Sequence, residues 1–263
     1  MTRVAVVVCV KDEAERIADC LAAVDLLGAD EVLVVDGAST DDTASLARMM
    51  GAKVHHSILG SLAQDRMRGA HMTRSPYVCY IDADHRPPPD LLGHLLADMD
   101  AMGLDGIQAG IRIEPLSFWN RAESSFLAMT MRPGVKTMIG TAPAIFKREV
   151  LEAVGFGHLV IDDTDFCYRL TRDTDYRIGM SSAVVYQRHE PSLRSYLDKF
   201  AWYGRGDRQF MAEHPERRRS MLFHLAVRYP LLHPLRALVT GHWRAAPYAI
   251  VQGLTRLRHA IKS

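Results

Sequence analysis

Three groups of acidic side chains stand where chemistry is easiest to place. Asp36 follows the apolar run Glu31–Val35, Asp82 and Asp84 follow Tyr77–Ile81, and Asp162, Asp163 and Asp165 open a helical stretch. Carboxylates gathered at one edge repel one another unless a cation or a hydrogen-bonded ligand sits among them. Asp82 and Asp84 are two residues apart after a buried strand, and in an extended chain their side chains point the same way. Both then face one hard cation, Mg²⁺ or Mn²⁺, with coordination positions left for diphosphate oxygens. Asp-rich turns are often only solvated. Here an apolar strand precedes the pair and Pro87-Pro88-Pro89 follows it, which favours a site.

Strands and helices must alternate to bring these groups to one edge. Val4–Val10 is continuously apolar, as in a strand covered on both faces. Ile17, Cys20, Leu21 and Val24 fall at helical offsets. The segment Asp36-Gly37-Ala38-Ser39-Thr40 then leads into a helix that Ser39 or Thr40 is expected to cap, and Gly51 ends it. Lys53–His55 and Tyr77–Ile81 read as strands, with a weakly helical Leu62–His71 between them, and Leu91–Met99 as a helix. Gly106–Ile113, Thr141–Phe146 and Ala183–Tyr186 read as later strands, and Phe118–Met131, Arg148–Val154 and Asp163–Thr171 as helices. Such alternation implies an α/β fold with a mostly parallel sheet and helices on both faces. Ligands of such sheets bind beyond the carboxyl ends of the strands, where the acidic groups lie.

The whole chain of 263 residues carries a net charge of only +1, but its ends differ. Residues 194–263 hold 13 basic against 4 acidic side chains, and from Arg217 onward there are 9 basic residues and no acidic one. That asymmetry points to phosphate groups, a membrane surface or nucleic acid. Cys9, Cys20, Cys79 and Cys167 form no C-x-x-C pair and read as buried, reduced thiols of a cytoplasmic protein. No apolar stretch reaches the length of an ordinary spanning helix. Val4–Val10 is too short for a signal peptide and is followed at once by Lys11, Asp12 and Glu13.

Taken in order, these segments resemble family-2 glycosyltransferases of the GT-A fold. Val6–Glu13 is similar to the family's opening strand and acidic turn, and Glu31–Thr43 to its "VVDDGSTDGT" segment. Arg66–Asp84 resembles "RNxG…A.G.Y…DAD", Ile145–Glu149 "FRRE", and Asp162–Leu170 "EDxDLxxRL". The matches span roughly residues 4 to 206. The resemblance implies an inverting transferase that takes a sugar from a nucleotide diphosphate donor, with UDP the commonest family choice. Asp36 would accept a hydrogen bond from the nucleobase, and Arg66 would sit near the base or diphosphate. Lys11 and Glu13 would line the donor site. Asp82 would contact the ribose or the metal, Asp84 would ligate Mn²⁺ or Mg²⁺, and Asp163 would be the general base. Asp165 and Arg169 would hold the helix in place. A histidine after the "VVY" strand serves some family members as a metal ligand, and His189 is the candidate here, alongside the reading of an exposed loop histidine. Trp202-Tyr203-Gly204-Arg205-Gly206 resembles "YGRG". Trp202 could stack on a sugar, and Arg205 or Arg208 could reach a phosphate, unless these residues only face solvent from a packed helix.

Three positions depart from the family pattern. Gly37 stands for its second Asp, Met67 for the Asn after Arg66, and Asp162 for the Glu before the base. Because Asp162 and Asp163 adjoin, Asp162 is the alternative base. Residues 1–215 are expected to form the catalytic domain and 216–263 a basic, helical extension. In that tail Leu, Phe, Trp and Tyr interleave with Arg and His, and Pro230, Pro234 and Pro247 cut it into short pieces. The mixture suits an anionic membrane interface, which would place the protein on the inner face of the cell membrane near a lipid-linked acceptor. A packed subdomain or subunit contact is the other reading, and nucleic acid is not expected as a partner. A nucleotidyltransferase is a rival class, but such enzymes usually carry a glycine-rich loop where Lys11-Asp12-Glu13 stands. A nucleotide-sugar-binding module without catalysis is the non-enzymatic rival.

Overall fold

The computed structural model describes residues 3–58, 60–190 and 192–262. In chain order the elements are β1 (Val4–Val10), α1 (Ile17–Asp25), β2 (Glu31–Asp36), α2 (Thr43–Met49), β3 (Lys53–His56), α3 (Leu62–Met72), β4 (Tyr77–Tyr80) and β5 (His85–Arg86). Then come α4 (Leu91–Met102), β6 (Gly106–Ile113), α5 (Phe118–Thr130), β7 (Gly134–Lys136), β8 (Ala144–Lys147), α6 (Arg148–Val154), α7 (Asp162–Asp173), β9 (Ile178–Gln187) and α8 (Leu193–Glu213). A 3₁₀ turn (Pro215–Arg217), α9 (Arg218–Phe223), a π-helical segment (His224–Leu232), α10 (His233–Val239) and α11 (Ala245–Ile261) complete the chain.

The sheet runs β3-β2-β1-β4-β8-β6-β9-β5, and β7 pairs with β9. The expected parallel sheet forms its first part, where β3, β2, β1 and β4 pair in parallel, and β8 and later strands add antiparallel pairs. The buried run of β1 follows from its place between β2 and β4, with apolar clusters on either face. Val6 and Val8 join the apolar cluster of Ile17, Leu21 and Leu95, whereas Val7 and Cys9 join that of Ala63, Ala70 and Tyr80. Gly69 lets α3 lie close on β1, since a Cβ there would meet Val7 Cγ1 at 2.4 Å.

The chain divides into two compact units elsewhere than at residue 215. One comprises 1–110, 132–158 and 162–187, and the other 111–131, 159–161 and 188–263. The reason is packing. In the second unit α5, α8, α10 and α11 share one apolar core through Phe126, Met129, Tyr196, Phe200, Ala237 and Tyr248. The tail is therefore inseparable from α5 and α8. Its prolines also cut less than expected. Pro230 lies inside the π-helical segment, where a wider turn accommodates its missing N–H, and Pro247 sits in the first turn of α11.

Candidate active site

In the first unit, the loops after β1 and β2 are stapled together. Asp12, at φ 54°, accepts the Thr40 backbone N–H at 2.7 Å, while its own N–H donates to Ser39 Oγ at 2.9 Å. Glu13 N–H donates to Thr43 Oγ1. Ser39 and Thr40 thus join the two loops rather than cap the helix. α2 begins only at Thr43, after Asp41 Oδ1 has accepted the Thr43 N–H in a local turn.

Asp36 ends β2 and is 1% exposed. Its Oδ2 accepts the Ser39 N–H and lies 2.9 Å from His56 Nδ1, while Oδ1 is buried with no hydrogen-bond partner among the described residues. A buried carboxylate oxygen left unmatched is costly unless a ligand donor meets it. Gly37 has a steric reason, because a Cβ there would stand 3.0 Å from Asp65 Oδ2 and 3.4 Å from the Val10 carbonyl. Asp65 on α3 is buried and accepts the Ser57 hydroxyl. Sequence reading overlooked it, although it directly precedes Arg66. Asp65, Lys11, Glu13, Gly37, Asp82 and Asp84 line a cleft of about 310 Å³.

Asp82 and Asp84 do not lie on an extended strand. β4 stops at Tyr80, and the chain turns so that His85 N–H donates to the Asp82 carbonyl. The turn still gathers the two carboxylates, whose oxygens and a His85 ring nitrogen all lie within 4.8 Å of one another. His85 itself is fully buried. Its Nδ1 accepts the Asp82 backbone N–H at 3.0 Å, so the neutral ring carries its proton on Nε2. That Nε2 has no hydrogen-bond partner among the described residues and stands 3.9 Å from Asp84 Oδ1. His85 is thereby an N–H donor facing Asp84, and the oxygens of Asp82 and Asp84 are the donors that suit a hard cation. Gln187 at the end of β9 donates to Asp84 Oδ2 at 2.9 Å. Burial pushes the Glu13 carboxyl up, and the charges of Asp84 and Asp82 add to the shift. The cleft is thus a negative pocket of the kind a divalent ion relieves.

Arg66 links this turn to α7. It is 4% exposed, and donates from Nη1 to Asp162 Oδ2 at 2.6 Å and from Nη2 to Asp82 Oδ1 at 3.2 Å. Burial opposes its charge, yet Asp162 and then Asp82 hold the guanidinium well above its ordinary range. Asp162 is committed to this ion pair and also accepts the Asp163 N–H. Asp163 is half-buried, and its Oδ1 accepts the Thr164 N–H. Crowding by protein, then the neighbouring Asp162 charge, pushes its carboxyl up from 3.8 to about 6. Such a value suits a group that takes a proton near neutrality. Arg169 pairs with Asp165 and donates to the Val154 and Gly155 carbonyls, so it ties α7 to the end of α6.

The remaining candidates lie in the second unit. His189 Nδ1 stands 2.7 Å from Glu123 Oε2. Burial alone would raise Glu123, but Lys199, His189 and Tyr196 together hold it well below the usual carboxylate range. Lys199 and Tyr248 donate to its Oε1. An ionised carboxylate only accepts, so Nδ1 donates to Glu123, while Lys199 Nζ lies 3.4 Å from the same nitrogen. Glu123 was not singled out in the sequence, since nothing local marks a buried helix glutamate as a histidine's partner. Trp202 on α8 is 40% exposed, and Arg205 is exposed beside it. Arg208 donates to the Lys262 carbonyl at the end of α11, a packing role that the phosphate reading did not foresee.

The family profile described as "Glycosyl transferase family 2" matches residues 5–155. The chain belongs to that family, and it is a glycosyltransferase with the α/β fold expected. Among solved structures it is similar to glucosyl-3-phosphoglycerate synthase from Mycobacterium tuberculosis in complex with Mn²⁺, UDP-glucose and phosphoglyceric acid. That likeness has 19% identity and a TM-score of 0.60, and covers 80% of this chain and 79% of that one. It is also similar to S. aureus TarS 1–349 in complex with UDP-GlcNAc, at 16% identity and a TM-score of 0.56, covering 95% of this chain and 92% of that one.

Proposed function

We propose that the protein transfers a sugar from a nucleotide diphosphate sugar, a UDP-sugar first, to an acceptor hydroxyl or phosphate with inversion at the anomeric carbon. The observation that carries this reading is the Arg66 bridge. One buried guanidinium pairs with Asp82, which lines the cleft, and with Asp162, the chain neighbour of Asp163, and this supports a base at Asp163. The unmatched Asp36 Oδ1 fits a base N–H of the donor, and the solved neighbours bound to UDP or its sugars support that choice.

Asp82 and Asp84 would hold a divalent ion, Mn²⁺ or Mg²⁺, which when bound supplies positive charge to the leaving diphosphate. Asp163 takes the acceptor proton as the acceptor oxygen bonds to the anomeric carbon. The bond from that carbon to the diphosphate breaks in the same displacement, and its electron pair leaves with the phosphate oxygen. One displacement inverts the centre, and no carboxylate nucleophile is required. We assign the base to Asp163 rather than Asp162 because Asp162 is bound to Arg66. His189 remains a candidate metal ligand, with its Nδ1 against Glu123. A lipid-linked acceptor, and a place on the inner face of the cell membrane, are proposed on the surface of the second unit described below.

The test is calorimetry of UDP-sugar binding with Mn²⁺ and with chelator. Asp84→Ala is expected to abolish the Mn²⁺-dependent part of binding and to leave thermal unfolding close to wild type. Metal-dependent binding that survives unchanged in this variant removes the metal from the turn.

A further inference from the structure

The second unit carries an apolar face that no described part of the chain covers. Leu231, Leu232, Leu235, Leu238, Val239 and Trp243 are between 46% and 88% exposed, all within thirteen consecutive residues. A surface helix normally presents one apolar stripe to the core and a polar one to water. In α10 the inward stripe is present, since His233, Pro234 and Ala237 are buried. The outward positions Leu235, Leu238 and Val239, at offsets 0, 3 and 4, form a second apolar stripe instead of a polar one. A patch of this kind marks an interaction surface.

The charges around it select the partner. Arg228, Arg236 and Arg244 are exposed on the same stretch, Arg218 and Arg219 precede it, and no acidic residue follows Glu216. The Arg244 guanidinium lies over the Trp243 ring, 4.7 Å from its centroid, as aromatic and basic side chains do at the level of lipid headgroups. A protein partner of mixed charge would leave this one-signed rim partly unmatched, whereas an anionic bilayer matches it throughout. Among the described residues no helix is long and apolar enough to cross a membrane, so the face would lie in the interface and not span it.

We infer that the segment from the π-helical turn through Trp243 is a monotopic docking surface for an anionic lipid bilayer. This deepens the transferase reading by naming the surface on which the acceptor is met, and it rests on that reading only for the lipid-linked acceptor.

The experiment is co-sedimentation of the full chain with vesicles of phosphatidylcholine containing phosphatidylglycerol, compared with phosphatidylcholine alone. Deleting the tail is uninformative because α11 belongs to the core of its unit, so point variants are used. Binding is expected to prefer the anionic vesicles, to weaken in high salt, and to persist in millimolar inorganic phosphate, which separates bilayer insertion from phosphate capture. Leu235→Glu with Leu238→Glu should lower partitioning by ~10-fold or more, and Arg228→Glu with Arg244→Glu should remove the preference for anionic lipid. Both side chains of the leucine pair point to solvent, so unfolding temperature and UDP-sugar affinity should stay at wild-type values. Equal sedimentation of wild type and both double variants overturns the inference. So does a dimer on gel filtration that the leucine variant dissociates while vesicle binding is unchanged, which would give the face to a second copy. Loss of UDP-sugar binding in wild type would instead count against the transferase reading, with vesicle binding intact.

Discussion

Asp163→Asn is expected to bind donor with nearly wild-type affinity while turnover falls by ~10²-fold or more, the usual scale for losing a general base. Asn keeps the size of the side chain and can still accept the Thr164 N–H, so the helix start is preserved. It cannot take the acceptor proton. Wild-type kcat/KM should rise with pH through about 6 and then level off, because the base must be ionised and its carboxyl is held at about 6. The stability effect runs the other way. A carboxyl raised from 3.8 binds its proton more tightly in the folded state than in the unfolded one. Stability is therefore lost as pH climbs from about 4 to about 6, and the ionised group costs the fold on the order of 1–3 kcal/mol above that window. The Asn variant should be slower yet unfold at higher temperature at pH 7. Stopped turnover assays and thermal scans of the same preparation check both. If Asp162→Asn gives the slow, donor-competent enzyme instead, the base is Asp162.

Arg66→Ala should be the most damaging single change to the fold near the site. It removes the donors from Asp162 at 2.6 Å and Asp82 at 3.2 Å, and leaves the Asp162 carboxylate unpaired next to Asp163. Breaking a buried ion pair from one side costs about 3–5 kcal/mol, because the remaining charge stays desolvated. Denaturant titration should show that loss as a lower midpoint. Arg66→Lys should recover only part of it, since one ammonium lacks the fork that reaches both partners. Arg66 also lowers the Asp163 carboxyl, so in any folded variant lacking it the acid limb of the pH profile should move upward. An unchanged midpoint and profile would mean that the bridge does not hold the site together.

Much of this arrangement was legible in the sequence because it is local. A seven-residue apolar run rich in β-branched valines reads as a strand covered on both faces, and β1 is one. The acidic residues at strand ends were legible for the same reason, as was the helix that starts at Asp162. What the sequence withheld depends on contacts between distant residues. The Asp82–Asp84 pair was expected to align by strand alternation, yet a tight turn gathers it. Gly37 looked like a lost carboxylate, and only the three-dimensional packing places Asp65 against it. The boundary at residue 215 followed a change in charge, whereas compactness follows apolar faces, and those of α5 and α8 belong with α11. Histidine tautomers were out of reach of the sequence, since they are set by the hydrogen bond at the other ring nitrogen.

The most direct measurement is nucleotide release from a panel of nucleotide diphosphate sugars, with Mn²⁺ or with chelator, in the presence of anionic vesicles carrying candidate lipid acceptors. The account predicts that at least one UDP-sugar releases UDP in a Mn²⁺-dependent reaction, that the transferred sugar has inverted anomeric configuration by NMR, and that Asp163→Asn suppresses release. Release that is indifferent to chelator and to Asp163, or a product that retains the donor's configuration, would contradict it.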